Sequence, residues 1–488
     1  MILNNNKEML NNKSIRHIHF IGIGGSGMNP LASILAKMEY NVSGSDIKEN
    51  VYILRLKEMG VQIFHGHDAS NVRLAHLIVI SSAIRKNNIE LEAAKKIGIP
   101  IIKRAELLSF IMDKHRHKIA VSGTHGKTTV SSFLAHNLNS SGQNPTFIIG
   151  ATLKESNIAG QLGNRGIIIA EADESDRSFL FLNPNILVIT NIEEEHVDQF
   201  KNLQDIMKTF ENFIKRVPKN GIIILSGDDT NTKNLDLKGR KAMTYGFDKK
   251  NIVRAINIRQ HNGKMHYDVT INEKLVSSEV MLNIPGKHNI TNSLVVYAIS
   301  YHLQLDLDII PGIFKEFQGA SRRFHEIGKE SNIIVYDDYA HHPTEIKVTL
   351  KAAKEYKRPI TAIFQPHRFS RFTAFKHQFA KALDIADKIV ITEIYSAGEK
   401  NKNNISAKEL IPFFKNNKAT YISHVGSIGR AIAKTAKKND LIITLGAGDV
   451  TLVGKEILQL LKQKNKSNVD LTNTNIEQSG DIKCKKKN

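Results

Sequence analysis

The chain holds a single cysteine and no tryptophan in 488 residues. Cys484 stands in a Lys-rich tail, so neither a disulfide framework nor a Cys-based metal site can be built, and a reducing compartment fits. Aromatics make up only 7%, which leaves little surface on which unpaired bases could stack; nucleic acid is not expected as a partner despite the net charge of +20. The positive excess is spread along the chain and reads as general composition rather than as one basic face. Long apolar runs are missing as well. The longest candidates, such as Gly166-Ile-Ile-Ile-Ala170, have strand length, well short of the roughly 18 residues that span a bilayer. Residues 1–10 carry neither the continuous apolar stretch nor the cleavage site of an export signal. The expectation is a cytoplasmic protein with no membrane insertion.

What is present is the balance of a globular protein, 41% hydrophobic and 24% charged. At roughly 150 residues per domain the length suggests about three domains. Short β-like runs alternate with helical patterns through most of the chain, the signature of parallel sheets covered by helices, so the class is α/β. A first block, 1–107, opens with the strand His17-Ile-His-Phe-Ile21. A second, 108–320, holds Lys118-Ile-Ala-Val121, Gly166-Ile-Ile-Ile-Ala170, Asn185-Ile-Leu-Val-Ile-Thr190 and Gly221-Ile-Ile-Ile-Leu225; residues 244–284 alternate more strictly and predict antiparallel strands at the sheet's edge. A third, 321–464, carries Asn332-Ile-Ile-Val-Tyr336, Ile360-Thr-Ala-Ile-Phe364, Lys388-Ile-Val-Ile391 and Asp440-Leu-Ile-Ile-Thr444. Residues 465–488 are poor in apolar side chains and are expected to be a disordered Lys-rich tail.

Two phosphate-binding patterns follow strands. Gly22-Ile-Gly24-Gly-Ser26-Gly27 is a G-x-G-x-x-G turn, in which the backbone can approach a pyrophosphate at a helix N-terminus. Asp46, closing the second strand, stands where an acid meets a ribose hydroxyl. The pair suits NAD, but UDP offers the same pyrophosphate and ribose. The second pattern is Gly123-Thr124-His125-Gly126-Lys127-Thr128-Thr129, between a strand and an apolar-periodic helix. There Lys127 would reach the β- and γ-phosphates of ATP, backbone amides would cradle them, and the Thr128 hydroxyl would bind Mg²⁺. A general P-loop has four residues between its glycines; this one has two. Glu171, after the Gly166–Ala170 run, is placed for a metal-holding acid, and the cluster Glu171-Ala-Asp173-Glu174-Ser-Asp176 reads either as a metal site or as a solvated acidic turn. His196 fits a metal ligand or a core histidine equally well.

Together these segments resemble the Mur ligase family over nearly the whole chain to about residue 460, and the shortened Gly-Thr-x-Gly-Lys-Thr loop is that family's form. Gly22-Ile-Gly-Gly-Ser-Gly-Met28, Glu171-Ala-Asp-Glu-Ser-Asp176, Gln318-Gly-Ala-Ser-Arg-Arg-Phe324, Asp337-Asp-Tyr-Ala-His-His-Pro-Thr-Glu345 and Gln365-Pro-His-Arg-Phe-Ser-Arg371 look like its alanine-adding branch. The resemblance implies a Rossmann-like N-terminal domain for the UDP of UDP-N-acetylmuramate, a central P-loop ATPase-type domain and a Rossmann-like C-terminal domain that closes over ATP and brings L-alanine. It further implies Mg²⁺ at Thr128, Glu171 and His196, with Lys127 serving catalysis beside the latter two. His288, Asn289 and Asn292 would lie on the adenine side of ATP, although on the residues alone they read equally as local caps of a helix start. Arg323, Tyr339, His341 and His342 would take part in substrate binding, and Arg368 and Arg371 would clamp the alanine carboxylate. Adjacent His341 and His342 without a third spaced ligand make a poor zinc motif. Three rivals stand beside this reading. One is a ligase that attaches a recycled murein tripeptide to the same UDP-sugar. The second is an NAD-dependent oxidoreductase, which leaves the P-loop unexplained. The third is a basic ATPase acting on nucleic acid.

Overall fold

A computed structural model describes residues 14–465 apart from residues 82 and 262; of the tail expected at 465–488, Asn465 ends a helix and donates to Glu330 and Ser331, and the rest, with Cys484, lies outside the described residues. The protein is three-domain α/β, each domain built on its own sheet, and divides into two compact units that meet in sequence between Ser321 and Arg322.

In the first unit a five-stranded sheet runs in the order Gln62–His65, Asn41–Asp46, His17–Ile21, Leu77–Ile80, Ile101–Lys103, parallel throughout. The central strand is buried at all five positions, as a strand covered on both faces must be. Strand order reverses beside it, the place where open parallel sheets form a ligand crevice. The helix Val51–Glu58 next to that crevice starts on Asn50, whose side chain accepts the amides of Tyr52 and Ile53.

The same unit contains a ten-stranded sheet, in the order Lys274–Leu282, Lys264–Ile271, Val253–His261, Lys241–Gly246, Ile222–Ser226, Ile186–Ile189, His117–Ser122, Ile167–Glu171, Thr146–Ile148, Gly160–Gln161. The strands from Val253–His261 to Lys274–Leu282 form the antiparallel edge expected from their alternation. Lys241–Gly246 does not join that pattern: it pairs parallel with Ile222–Ser226 and with Val253–His261. Just past its end, Asp228 accepts the amides of Phe247 and Asp248. Helices Lys127–Ser140 and Lys287–His302 are buried on almost every side and share one apolar core, Phe133, Leu134 and Leu138 with Leu294, Val295 and Ala298. A second core is continuous from Leu31 and Leu107 near the first sheet to Leu187 and Phe210 by the second, which makes these two sheets one unit.

The second unit holds a six-stranded sheet, in the order His325–Glu330, Ile333–Asp338, Leu441–Leu445, Ile360–Phe364, Lys388–Ile391, Ala419–Tyr421, parallel except for its first pair. That pair is a hairpin turned by Ser331 and Asn332, both at positive φ (51° and 61°), as the twist of a two-residue turn requires. Val335, Ile363, Ile428, Ile442 and Ile457 fill a core of this unit.

Candidate active site

In the five-stranded sheet the glycine turn sits at the end of the central strand. Gly22 (φ 82°) and Ile23 donate to Ser45 O at 2.9 and 3.1 Å, and the turn leads into the helix Asn29–Lys37. Asp46 closes the turn: its Oδ2 accepts the Gly24 amide at 2.9 Å, while Asn50 Nδ2 donates to Gly24 O at 3.0 Å. A Cβ on Gly24 would come within 2.8 Å of the Ile53 side chain, which would have to move aside. Ser26 is exposed at the tip, and Gly27 lies against Arg104.

The second glycine loop follows His117–Ser122. Gly123 (φ 128°) leaves room for no side chain, since a Cβ would fall 2.1 Å from Thr190 Oγ1. The loop is laced to the neighbouring strand end: Thr124 N donates to Asn191 O (2.9 Å), His125 N to Asn191 Oδ1 (2.9 Å), and Asn191 Nδ2 to His125 O (3.0 Å). Gly126 (φ 83°) stands at the start of the helix Lys127–Ser140, so the free amides of its first turn, including that of Thr129, face the loop. Asn292 faces Gly126 from the helix Lys287–His302, 2.9 Å from where a Cβ would stand. Asn289 instead turns back to Pro285 O (2.6 Å), and His288 is exposed, its ring lying over Gly286.

Lys127 bends over its own loop. Its Nζ donates to Gly123 O (2.7 Å), Thr124 O (3.2 Å) and Glu174 Oε2 (2.8 Å). Burial works against an ammonium here, but the charges of Glu174, Asp173 and Glu171 outweigh it and hold Lys127 above the ordinary lysine value. Asp173 is in turn held well below the usual carboxylate range: burial opposes this, and Lys127 and the Ser175 amide prevail. Beside Lys127, Thr128 Oγ1 donates to Glu171 Oε1 at 3.0 Å, and Gly150 N to Glu171 Oε2 at 2.8 Å. His196, at φ 52°, points Nε2 toward Glu174 Oε1 at 3.4 Å. The three residues Asp173, Glu174 and His196 bring ligand atoms within 4.8 Å of one another. Glu174 was legible only as one of four acids. No spacing rule distinguishes the one that the fold buries against Lys127.

The second unit clusters its own candidates at the strand ends. Arg323 lies over the Tyr339 ring at 5.2 Å and 3.8 Å from Glu345. His341 packs edge-on to Tyr339 (5.1 Å), and its Nδ1 meets Tyr339 O at 2.9 Å. His342 is the cap of the helix Pro343–Lys354, its Nδ1 accepting the Thr344 amide at 3.3 Å, and its ring rests on Phe375. Arg368 (φ 69°) precedes the helix Phe369–Leu383, with Nη1 3.7 Å from Glu399. Arg371 is buried, its Nη1 3.0 Å from His367 Nδ1. Sequence reading passed over His367, which stacks on Tyr395 (5.7 Å) and meets His341 edge-on (5.6 Å). Asp338, beneath the cluster, is pushed up to about 6 by burial, against the pull of Arg323 and of the Phe324 and Ala340 amides.

Three family models match in succession: the Mur ligase family catalytic domain over residues 17–116, the Mur ligase middle domain over 121–300, and the Mur ligase glutamate ligase domain over 322–448. Among curated proteins the chain is 41% identical to the UDP-N-acetylmuramate-L-alanine ligase of Sulfurihydrogenibium sp. (strain YO3AOP1), over 92% of this chain and 99% of that one. It is 42% identical to the protein of the same name from Dictyoglomus turgidum, over 92% and 97%. Its fold is similar to the crystal structure of UDP-N-acetylmuramate-alanine ligase from Thermotoga maritima, with a TM-score of 0.79 at 29% identity, covering 92% of this chain and 99% of that one. A murein peptide ligase from Psychrobacter arcticus shares the fold at a TM-score of 0.67 and 24% identity. By its family models and by relatives matched over nearly their full length, the chain belongs to the Mur ligase family.

Proposed function

We propose that this protein is an ATP-dependent ligase that joins L-alanine to the lactyl carboxylate of UDP-N-acetylmuramate, giving the amide, ADP and phosphate for peptidoglycan synthesis. The observation that carries the reading is the shortened P-loop with Lys127 folded over it and the Thr128–Glu171 pair at its side. Full-length relatives named for this reaction select the substrates. The tripeptide-adding ligases matched by structure are less similar, at 24% identity over 91% of this chain and 27% over 63%. On this reading residues 1–107 bind the UDP-sugar, 108–320 bind ATP and 321–464 bind the amino acid.

A carboxylate is a poor electrophile, and phosphorylation supplies the leaving group. One lactyl oxygen attacks the γ-phosphate, the bond from that phosphorus to the β,γ-bridging oxygen breaks, and ADP leaves. The neutral amine of L-alanine then attacks the acyl phosphate, and phosphate departs with the former lactyl oxygen. Lys127 and the amides that follow Gly126 bind and neutralise the phosphoryl oxygens. The hydroxyl and carboxylate oxygens of Thr128 and Glu171, 3.0 Å apart, suit a hard divalent cation, and His196 would complete the donor set. Mg²⁺ held there would offset phosphate charge. Arg368 and Arg371 hold the alanine carboxylate, leaving its amine to the reaction. Turnover of UDP-N-acetylmuramate carrying ¹⁸O in the lactyl carboxylate tests the path. One labelled oxygen in the released phosphate supports it, and unlabelled phosphate would overturn it.

A further inference from the structure

Glu174 is 2% exposed, and its two oxygens face different partners: Oε2 takes Lys127 Nζ at 2.8 Å, and Oε1 lies 3.4 Å from His196 Nε2. A carboxylate at that depth is costly unless a cation stays beside it. Lys127, with its side chain 11% exposed, is that cation. All three of its N–H donors are engaged, by Glu174 and by the carbonyls of Gly123 and Thr124. In this arrangement none is left for a phosphate. A triphosphate entering the loop therefore exchanges one buried anion for another at the same ammonium.

Resting on the reading of Lys127 as the phosphate-binding lysine, we propose that Glu174 is a positioning residue: it parks Lys127 across the nucleotide-free loop, orients His196, and competes with ATP for the ammonium. The competition reduces nucleotide affinity, and the placement serves the transfer step. Loss of the charge then has opposite effects on binding and on turnover, whereas simple loosening of the site would weaken both.

The test is calorimetric titration of MgATP into the full-length protein without the UDP-sugar or alanine, paired with steady-state rates and with circular dichroism to check the fold. Glu174→Gln is expected to bind MgATP about tenfold tighter while kcat falls about tenfold or more, so KM for ATP and kcat drop together. Glu174→Asp keeps the charge with a shorter reach; its affinity stays within about twofold of the parent while its kcat falls. In a Lys127→Ala background, adding Glu174→Gln leaves affinity unchanged. Unchanged or weaker binding by Glu174→Gln, equal tightening by Glu174→Asp, or tightening that persists without Lys127 would overturn the proposal. Undiminished MgATP binding by Lys127→Ala alone would instead overturn the reading of the P-loop on which it rests.

Discussion

Thr128 Oγ1 donates to Glu171 Oε1 across 3.0 Å, linking the first turn of the P-loop helix to the last residue of the neighbouring strand. The pair offers a hydroxyl and a carboxylate, a donor set that on the proposed reading takes the magnesium ion. Thr128→Val and Glu171→Gln are expected to raise the Mg²⁺ concentration needed for half-maximal phosphate release by about 10–100-fold. A Mg²⁺ titration of each variant checks this, and an unchanged midpoint in both would remove the pair from metal binding.

Gly123 is expected to tolerate no substitution. At φ 128°, with Thr190 Oγ1 2.1 Å from an added Cβ and Asn191 O at 2.9 Å, Gly123→Ala must shift the loop or the strand end to which it is laced. A loss of about 1–3 kcal/mol in denaturant unfolding is the expected scale, together with weaker MgATP binding. Wild-type stability and affinity in the variant would show that the loop is pliable.

Glu90 ties the first domain together from beneath the sheet. It is fully buried and accepts from Ser45 Oγ (2.6 Å), Asn71 Nδ2 (2.6 Å) and His67 Nδ1 (2.7 Å), with His19 Nε2 at 3.7 Å. Burial alone would raise its pKa, but these partners bring it from 4.5 down to about 2. A depressed carboxylate gives stability that is present above its unfolded value and lost as pH falls through the folded one. Stability should therefore decline from about pH 4.5 toward about pH 2. Glu90→Gln should cost about 2 kcal/mol at neutral pH and flatten that decline. Unfolding curves at pH 7, 4 and 3 check it; parallel pH dependence in parent and variant would contradict it.

Arg371 is nearly closed off from solvent, with Nη1 on His367 Nδ1 at 3.0 Å, so its guanidinium fork is held in place before any ligand arrives. Arg371→Lys keeps the charge and loses the fork, and should raise KM for L-alanine about tenfold while leaving KM for ATP within about twofold. Equal changes in both constants would argue against an amino-acid role.

The strands that carry the site were legible because each is a short continuous apolar run closed or followed by polar residues, as in Ile167–Glu171 and Ile186–Ile189. The three-residue strands Ile101–Lys103, Thr146–Ile148 and Ala419–Tyr421 were not, being too short for any period to emerge. Of the site, the glycine loops could be read because positive φ and close backbone approach leave few other residues possible. Glu174 and His367 could not, since their importance lies in which residues the fold sets against them. The cap that His342 Nδ1 gives a helix is a local role that its neighbours Pro343 and Glu345 already signal, and it leaves the proposed substrate contact of that residue untouched.

Phosphate release from MgATP and UDP-N-acetylmuramate, measured with L-alanine, with the murein tripeptide and with no amine, tests the central claim most directly. The account predicts release that requires L-alanine and is matched by the corresponding amide. Release that required the tripeptide, or that ignored both amines, would contradict it.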